Sequence, residues 1–248
     1  AASTDQSIAI TLGSVGSDSN AEGKMHLNVN SWALFNGVAA AAGREQAVLE
    51  AIERARTPLG YLLITPGYTA ASKHVGRIAD MSPGQFENGS IYTHGQSFAA
   101  YAFACLGRGG DAWRALKTIW PDNTLPDIST GPPHQVSNFT VGIEHPHFGR
   151  NLYSNFSGSL PWLRKVVERI LGLVPGLDGM AVDPSIPPEW KDYRVDKLWR
   201  GCRVRMTVRN PAGVSSGVKA ARLDGEDLPV ADGRVWIDAD RLIADTAV

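Results

Sequence analysis

Cysteine is almost absent from this 248-residue chain, which has only Cys105 and Cys202. One falls on a helical pattern and the other on a strand pattern, which reads as two buried free thiols. A disulfide framework and a thiolate metal site are both disfavoured, and a reducing, cytoplasmic setting fits. No apolar run approaches the roughly 18–20 residues that cross a bilayer as a helix. The opening Ala1-Ala2-Ser3-Thr4-Asp5 also lacks the basic start and apolar core of a secretory leader. A charge excess is missing too: 24 basic side chains face 25 acidic ones, and no Lys/Arg run forms a nucleic-acid footprint. Internal repeats and low-complexity tracts are likewise absent.

What is present is an ordinary globular composition, 43% hydrophobic and 20% charged, long enough to bury one large core or two modest ones. Two textures meet near residue 175. Helical periodicity predicts helices over 31–42, 44–56, 97–107, 110–120 and 158–172, joined by long loops rich in Gly and Pro. Loops of this length inside a compact domain usually carry function. Paired helices with long loops on one side suggest a toroid of helix pairs. After Val174-Pro175-Gly176, short strands are predicted at 180–184, 193–196, 203–208, 218–223 and 234–237. Arg203 to Val208 alternates polar and apolar, as a half-buried strand does. The fold class is therefore α+β multidomain, with a helical domain over 1–175 and an antiparallel β-sandwich or jelly-roll over 176–248.

The stretch Glu87-Asn88-Gly89-Ser90-Ile91-Tyr92-Thr93-His94-Gly95 places a single histidine directly ahead of a strong helical pattern. Ser97 reads as the cap of that helix, and Phe98, Tyr101, Ala102, Cys105 and Leu106 recur at helical spacing. His94 would then sit just outside a helix N-terminus, where free N–H groups favour a phosphate or carboxylate. On local grounds alone, an ordinary hydrogen-bonding histidine remains the commoner alternative.

A longer array points further. Glu22-Gly23-Lys24-Met25-His26-Leu27-Asn28-Val29-Asn30-Ser31-Trp32 comes first, followed by Thr65-Pro66-Gly67-Tyr68-Thr69 and Gly84 through His94. Leu106-Gly107-Arg108-Gly109, Ser157-Gly158-Ser159-Leu160-Pro161-Trp162 and Leu177 through Pro184 complete it. In this order the motifs resemble the C-terminal half of the cellobiose/chitobiose phosphorylase family, inverting glycoside phosphorylases once classed with glycosyltransferases. The resemblance runs from about Ala21 to Asn210. It implies half of an (α/α)6 barrel followed by a jelly roll, and a reaction in which inorganic phosphate breaks a β-glucosidic bond to give an α-sugar 1-phosphate. Phosphate is the co-substrate, and no cofactor is implied. The resemblance assigns phosphate binding to His94 and to Ser157-Gly158, where the family has a Thr-Gly pair. Independently, Ser157-Gly158 opens a predicted helix.

Departures from the family pattern are as informative. The family's general acid is an Asp in an Asp-Trp-Asn-Asp type motif upstream of the Glu22 segment. No such motif occurs here, and neither Asp5 nor Asp18 has its surroundings. No catalytic residue is therefore assigned within these residues. The family's N-terminal sandwich, first barrel helices and a phosphate-binding Arg are also missing. The expectation is a C-terminal piece, inactive alone, whose first partner is the missing N-terminal part of the same polypeptide. The resemblance also implies a homodimer.

On the acceptor side, Arg77, His147 and Arg150 would suit an acidic sugar, as in a cellobionic acid phosphorylase; loop-stabilising roles explain them equally well. Asn138 and Tyr92 are further sugar-contact candidates. The pair His145 and His147 lacks the companions of a tetrahedral metal set, so no metal is expected. Trp32, Trp113, Trp120 and Trp162 read as core, whereas Tyr68, Tyr92, Tyr153 and Phe156 read as sugar platforms. Two other functions remain open at this point: a module of a β-glucan synthase, and a non-catalytic carbohydrate-binding or structural piece.

Overall fold

The computed structural model describes residues 22–69, 73–120, 138–153, 159–242 and 246–247. The chain divides into two units. One takes in the described residues up to Ala102 together with Ala115–Trp162; the other comprises Phe103–Arg114 and the residues from Leu163 onward. Six α-helices occur among the described residues: α1 (Leu27–Phe35), α2 (Val38–Ala41), α3 (Glu45–Arg54), α4 (Thr93–Cys105), α5 (Gly109–Lys117) and α6 (Leu160–Leu171).

In the first unit, the helix predicted over 31–42 is broken in two. Gly37 adopts φ 81°, a left-handed conformation that costs glycine nothing, and ends α1. The Asn36 side chain then accepts the Val38 N–H at 3.0 Å and starts α2. Asn36→Ala is expected to lower stability by about 1 kcal/mol, read as a shift in the urea midpoint. Helix α3 buries Val48, Leu49, Ala51 and Ile52 on one stripe, with Glu45 in its first turn and Arg54 in its last, matching the helix dipole. Helix α4 is different. Phe98, Ala99, Ala100 and Ala102 are all buried, so it is a core helix rather than an amphipathic one.

Small antiparallel pairings tie the loops of this unit together: Met25–His26 with Ile64–Thr65, and Arg56–Thr57 with Gly60–Tyr61. A three-stranded sheet runs Ile91–Tyr92, Phe139–Thr140, Asn151–Tyr153. Trp32, Phe35, Phe98, Tyr101 and Trp162 form one aromatic cluster with centroid separations of 4.6–5.8 Å. Trp32 corrects the core expectation, because it is 45% exposed and covers the cluster with one face only.

In the second unit, Asp192–Trp199 pairs with Cys202–Arg209 across eight residues on each strand. The two-residue turn Arg200-Gly201 has φ 50° and 82°, the twist that suits a tight hairpin. Arg200 is not glycine, and its guanidinium donates to the Leu177 carbonyl at 2.7 Å. Alternation is strict from Cys202 to Thr207: Cys202, Val204 and Met206 are buried, while Arg203, Arg205 and Thr207 are exposed. The buried face shares a core with Leu173, Met180, Val182, Val235 and Ile237 from the three-stranded sheet Leu173–Pro175, Gly179–Val182, Val235–Asp238. The short strand Thr246–Ala247 runs parallel to Cys202–Arg209. Asp183 is nearly buried and accepts from both Arg169 (2.6 Å) and Arg234 (3.0 Å). Burial pushes the Glu168 carboxyl up, but hydrogen bonds from Lys197 and Arg164 outweigh it and hold the group below its usual range.

Candidate active site

Helix α4 begins at Thr93, four residues before the expected cap. His94 is therefore the second residue of the helix rather than a residue ahead of it. Ser97 is the fifth residue of the helix, and its hydroxyl donates to the His94 carbonyl at 2.6 Å. That back-bond is the usual alternative for a serine within a helix. The cap role passes to the neighbouring sheet. The Thr93 N–H donates to the Asn138 carbonyl at 3.1 Å, and the Thr93 hydroxyl to the Asn138 side-chain oxygen at 3.4 Å. The remaining N–H groups of the first turn have no intrahelical acceptor, which is the physical basis of anion binding at a helix start.

His94, Tyr92 and Asn138 thus lie at the head of α4. Tyr92 and Phe139 are register partners, and their rings stack at 4.5 Å with 9° between planes. The Tyr92 hydroxyl lies 3.4 Å from His94 Nδ1, and the imidazole rests on Phe98 at 4.5 Å. Burial lowers the His94 pKa, which favours neutral imidazole at pH 7. Burial, helped by the nearby Glu87 charge, raises the Tyr92 pKa, so its O–H stays protonated, and in the Nε2–H tautomer of His94 it donates to Nδ1. In that tautomer Nε2 carries the N–H and can donate to an oxyanion.

The motif around His94 is held from behind. Asn88 is fully buried. It donates to the carbonyls of Tyr68 (2.8 Å) and Met81 (2.7 Å) and accepts the Tyr68 N–H (2.7 Å). Gln96, also fully buried, exchanges two hydrogen bonds of 2.7 Å with the Tyr61 backbone. At Gly142 a side chain would overlap the Gly89 carbonyl oxygen, so two backbones cross there with no room between them. Tyr68 corrects the sugar-platform expectation. It is 2% exposed, with its hydroxyl 3.1 Å from His26 Nε2, and serves as a wall.

The other expected contacts are placed separately. Arg77 is largely exposed and pairs with Glu87 at 3.3 Å. His147 and Arg150 are exposed in the loop after Phe139–Thr140, where the His147 N–H donates to His145 Nδ1 at 3.1 Å. Ser157, Gly158, Phe156 and the Tyr153 side chain lie outside the described residues.

Three residues escaped the sequence reading. Phe139 stacks on Tyr92. Glu144 accepts the Thr65 hydroxyl and the Gly67 N–H, both at 2.8 Å. The Asn28 side-chain oxygen is buried without a hydrogen-bond partner among the described residues, and it packs so close that a Cβ at Gly95 would come within 2.8 Å. For Phe139 the adjacent Asn138 was a signal; for Glu144, partners 77 and 79 residues away left none.

The catalytic-domain model of the glycosyl hydrolase 94 superfamily matches residues 9–172. The chain belongs to this superfamily. Among its relatives, a 3-O-beta-D-glucopyranosyl-beta-D-glucuronide phosphorylase from Paenibacillus borealis is 34% identical over 232 residues, covering 89% of this chain and 30% of the relative. A solabiose phosphorylase from the same organism is 30% identical, covering 86% and 28% respectively. An N,N'-diacetylchitobiose phosphorylase from Vibrio proteolyticus is 31% identical, covering 85% and 27%. This glycosyl hydrolase 94 chain thus spans less than a third of the length of these relatives. Among its described residues no helix is long and apolar enough to cross a membrane, and no three His, Cys, Asp or Glu side chains gather as a metal site.

Proposed function

We propose that this chain is the phosphate-binding part of an inverting β-glucoside phosphorylase that converts a disaccharide and inorganic phosphate into an α-sugar 1-phosphate and a free sugar. The observation that carries the reading is His94: a neutral imidazole, oriented by Tyr92, in the first turn of α4, within a family whose relatives are named as disaccharide phosphorylases. In this reading residues 1–175 belong to an (α/α)6 barrel and 176–248 form a jelly roll. A phosphate oxygen attacks the anomeric carbon as the bond to the leaving oxygen breaks, and that oxygen takes a proton from a carboxylic acid on the opposite face. The acid belongs to polypeptide outside these 248 residues. The chain's own share is to hold the attacking anion through His94 Nε2, the head of α4 and Ser157-Gly158. Tyr92 and Asn138 border the sugar. Phosphate is the co-substrate and needs no further cofactor.

Arg77, His147 and Arg150 are the acceptor-side candidates, and their charge suits an acidic acceptor sugar. An acidic sugar is named for the Paenibacillus borealis glucuronide phosphorylase, while the names of the solabiose and diacetylchitobiose phosphorylases carry none, so the choice rests on the three basic side chains. A homodimer and a cytoplasmic setting belong to the same reading. The test is phosphorolysis by the longer protein, offered cellobiose, chitobiose, cellobionate and a glucosyl glucuronide. Proton NMR is expected to show the α-anomer of the sugar 1-phosphate, fastest from the acidic substrates, and no turnover by the 248-residue chain alone. Absence of phosphate consumption with all four substrates overturns the reading.

A further inference from the structure

The solvent face of the Asp192–Trp199 and Cys202–Arg209 hairpin holds an open cavity of about 410 Å³. That volume lies in the range of small-ligand sites. Lys191, Arg194 and Arg209 supply three cations around it, against the one carboxylate of Asp192. Several charged side chains of this unit are paired: Arg203 with Asp196, Arg222 with Asp227, Arg241 with Glu226, and Arg169 and Arg234 with Asp183. The three cations of the cavity have no ion-pair partner among the described residues. Asp192 stands opposite Arg209 in the strand ladder and still forms no ion pair with it.

The layout suits a particular ligand. Arg194 is the direct register partner of Thr207, and Arg209 lies two residues further along the same face. Such diagonal neighbours sit roughly 7–8 Å apart, so two long cationic side chains rise from one face with Thr207 beside them. The rim is fixed as well. Nearly buried Asn210 donates to the carbonyls of Trp190 (3.1 Å) and Val214 (2.9 Å) and accepts the Val214 N–H (3.0 Å). The Lys191 ammonium lies over the turn at Gly213, where φ is 65° and a Cβ would approach it to 2.8 Å.

We propose that this cavity binds a small sugar bearing an oxyanion, either phosphate or carboxylate. The guanidinium groups take the anion, and Asp192 accepts hydrogen bonds from the sugar hydroxyls. A bare anion would gain from the cations but be repelled by Asp192; a neutral sugar would leave the cations unused. The anion preference stands on the hairpin alone, whereas the choice of a sugar rests on the phosphorylase reading.

The experiment is a two-dimensional amide NMR titration of the chain with glucose 1-phosphate, glucuronate, inorganic phosphate and glucose. Glucose 1-phosphate or glucuronate, or both, is expected to shift the amides of Arg194, Thr207 and Arg209, and the arms that respond identify which anion source is used. Inorganic phosphate should bind several-fold more weakly, and glucose should cause no shift. The double variant R194Q/R209Q, which alters only exposed side chains, should weaken binding at least about tenfold. His94→Ala should leave these shifts in place. The proposal is overturned if neither anionic sugar shifts these amides, if R194Q/R209Q binds as the parent does, or if inorganic phosphate or glucose binds as tightly as the anionic sugars.

Discussion

His94→Ala in the longer protein is expected to lower kcat/KM for phosphate by about 10²–10³-fold, the usual cost of removing one preorganised donor to an oxyanion. Two losses combine. The Nε2 donor disappears, and the Tyr92 hydroxyl loses its acceptor at 3.4 Å. Because His94 lies in the first turn of a helix that is otherwise core, thermal stability should change little, and His94→Gln should recover part of the rate through its amide N–H. The pH dependence has a defined sign. Burial depresses the His94 pKa below the ordinary imidazole value, so the free fold favours neutral imidazole. As pH falls below 6.5, the unfolded chain takes up its proton first, and this residue's contribution to stability declines. Bound phosphate favours the imidazolium and should raise the pKa of His94, so imidazole titration by NMR should move upward when phosphate is added. An unchanged KM for phosphate in His94→Ala would remove His94 from the anion site.

Asn88→Leu is expected to cost about 3–5 kcal/mol and is the larger threat to the fold of the first unit. The substitution leaves the Tyr68 N–H, the Tyr68 carbonyl and the Met81 carbonyl unpaired in a place where Asn88 has no exposure at all. Asn88→Asp keeps the acceptor but loses both donated bonds, so it should fall between the parent and Asn88→Leu in urea unfolding. A loss below about 1 kcal/mol for Asn88→Leu would mean that water replaces all three partners.

The part of the site legible in the sequence was the part encoded within a few residues. Tyr92, Thr93 and His94 are contiguous, and Asn138 lay beside an aromatic, so their company could be guessed. The strand alternation from Cys202 to Thr207 was legible for the same reason: each residue declares its face through its neighbours. Ser97 misled because serine fits both a helix cap and a back-bond within a helix, and only the contact of Thr93 with Asn138 decides between them. Trp32 and Tyr68 exchanged roles because ring size says nothing about which side meets solvent. The bond from Glu144 to Gly67 depends on two loops meeting, and no local pattern records that. The helix expected over 31–42 carried its own break in Asn36-Gly37, a turn pair that the apolar periodicity obscured.

The backbone crossing at Gly89 and Gly142 has an evolutionary consequence. Where two main chains touch, neither position offers a side chain for selection to vary, and an alanine at Gly142 would push the Glu87–His94 loop off its neighbour. Variation is then left to side chains that flank the crossing, such as Phe139 and the exposed His147 and Arg150. The glycine pair is thus a fixed crossing beneath a rim whose side chains are free to change.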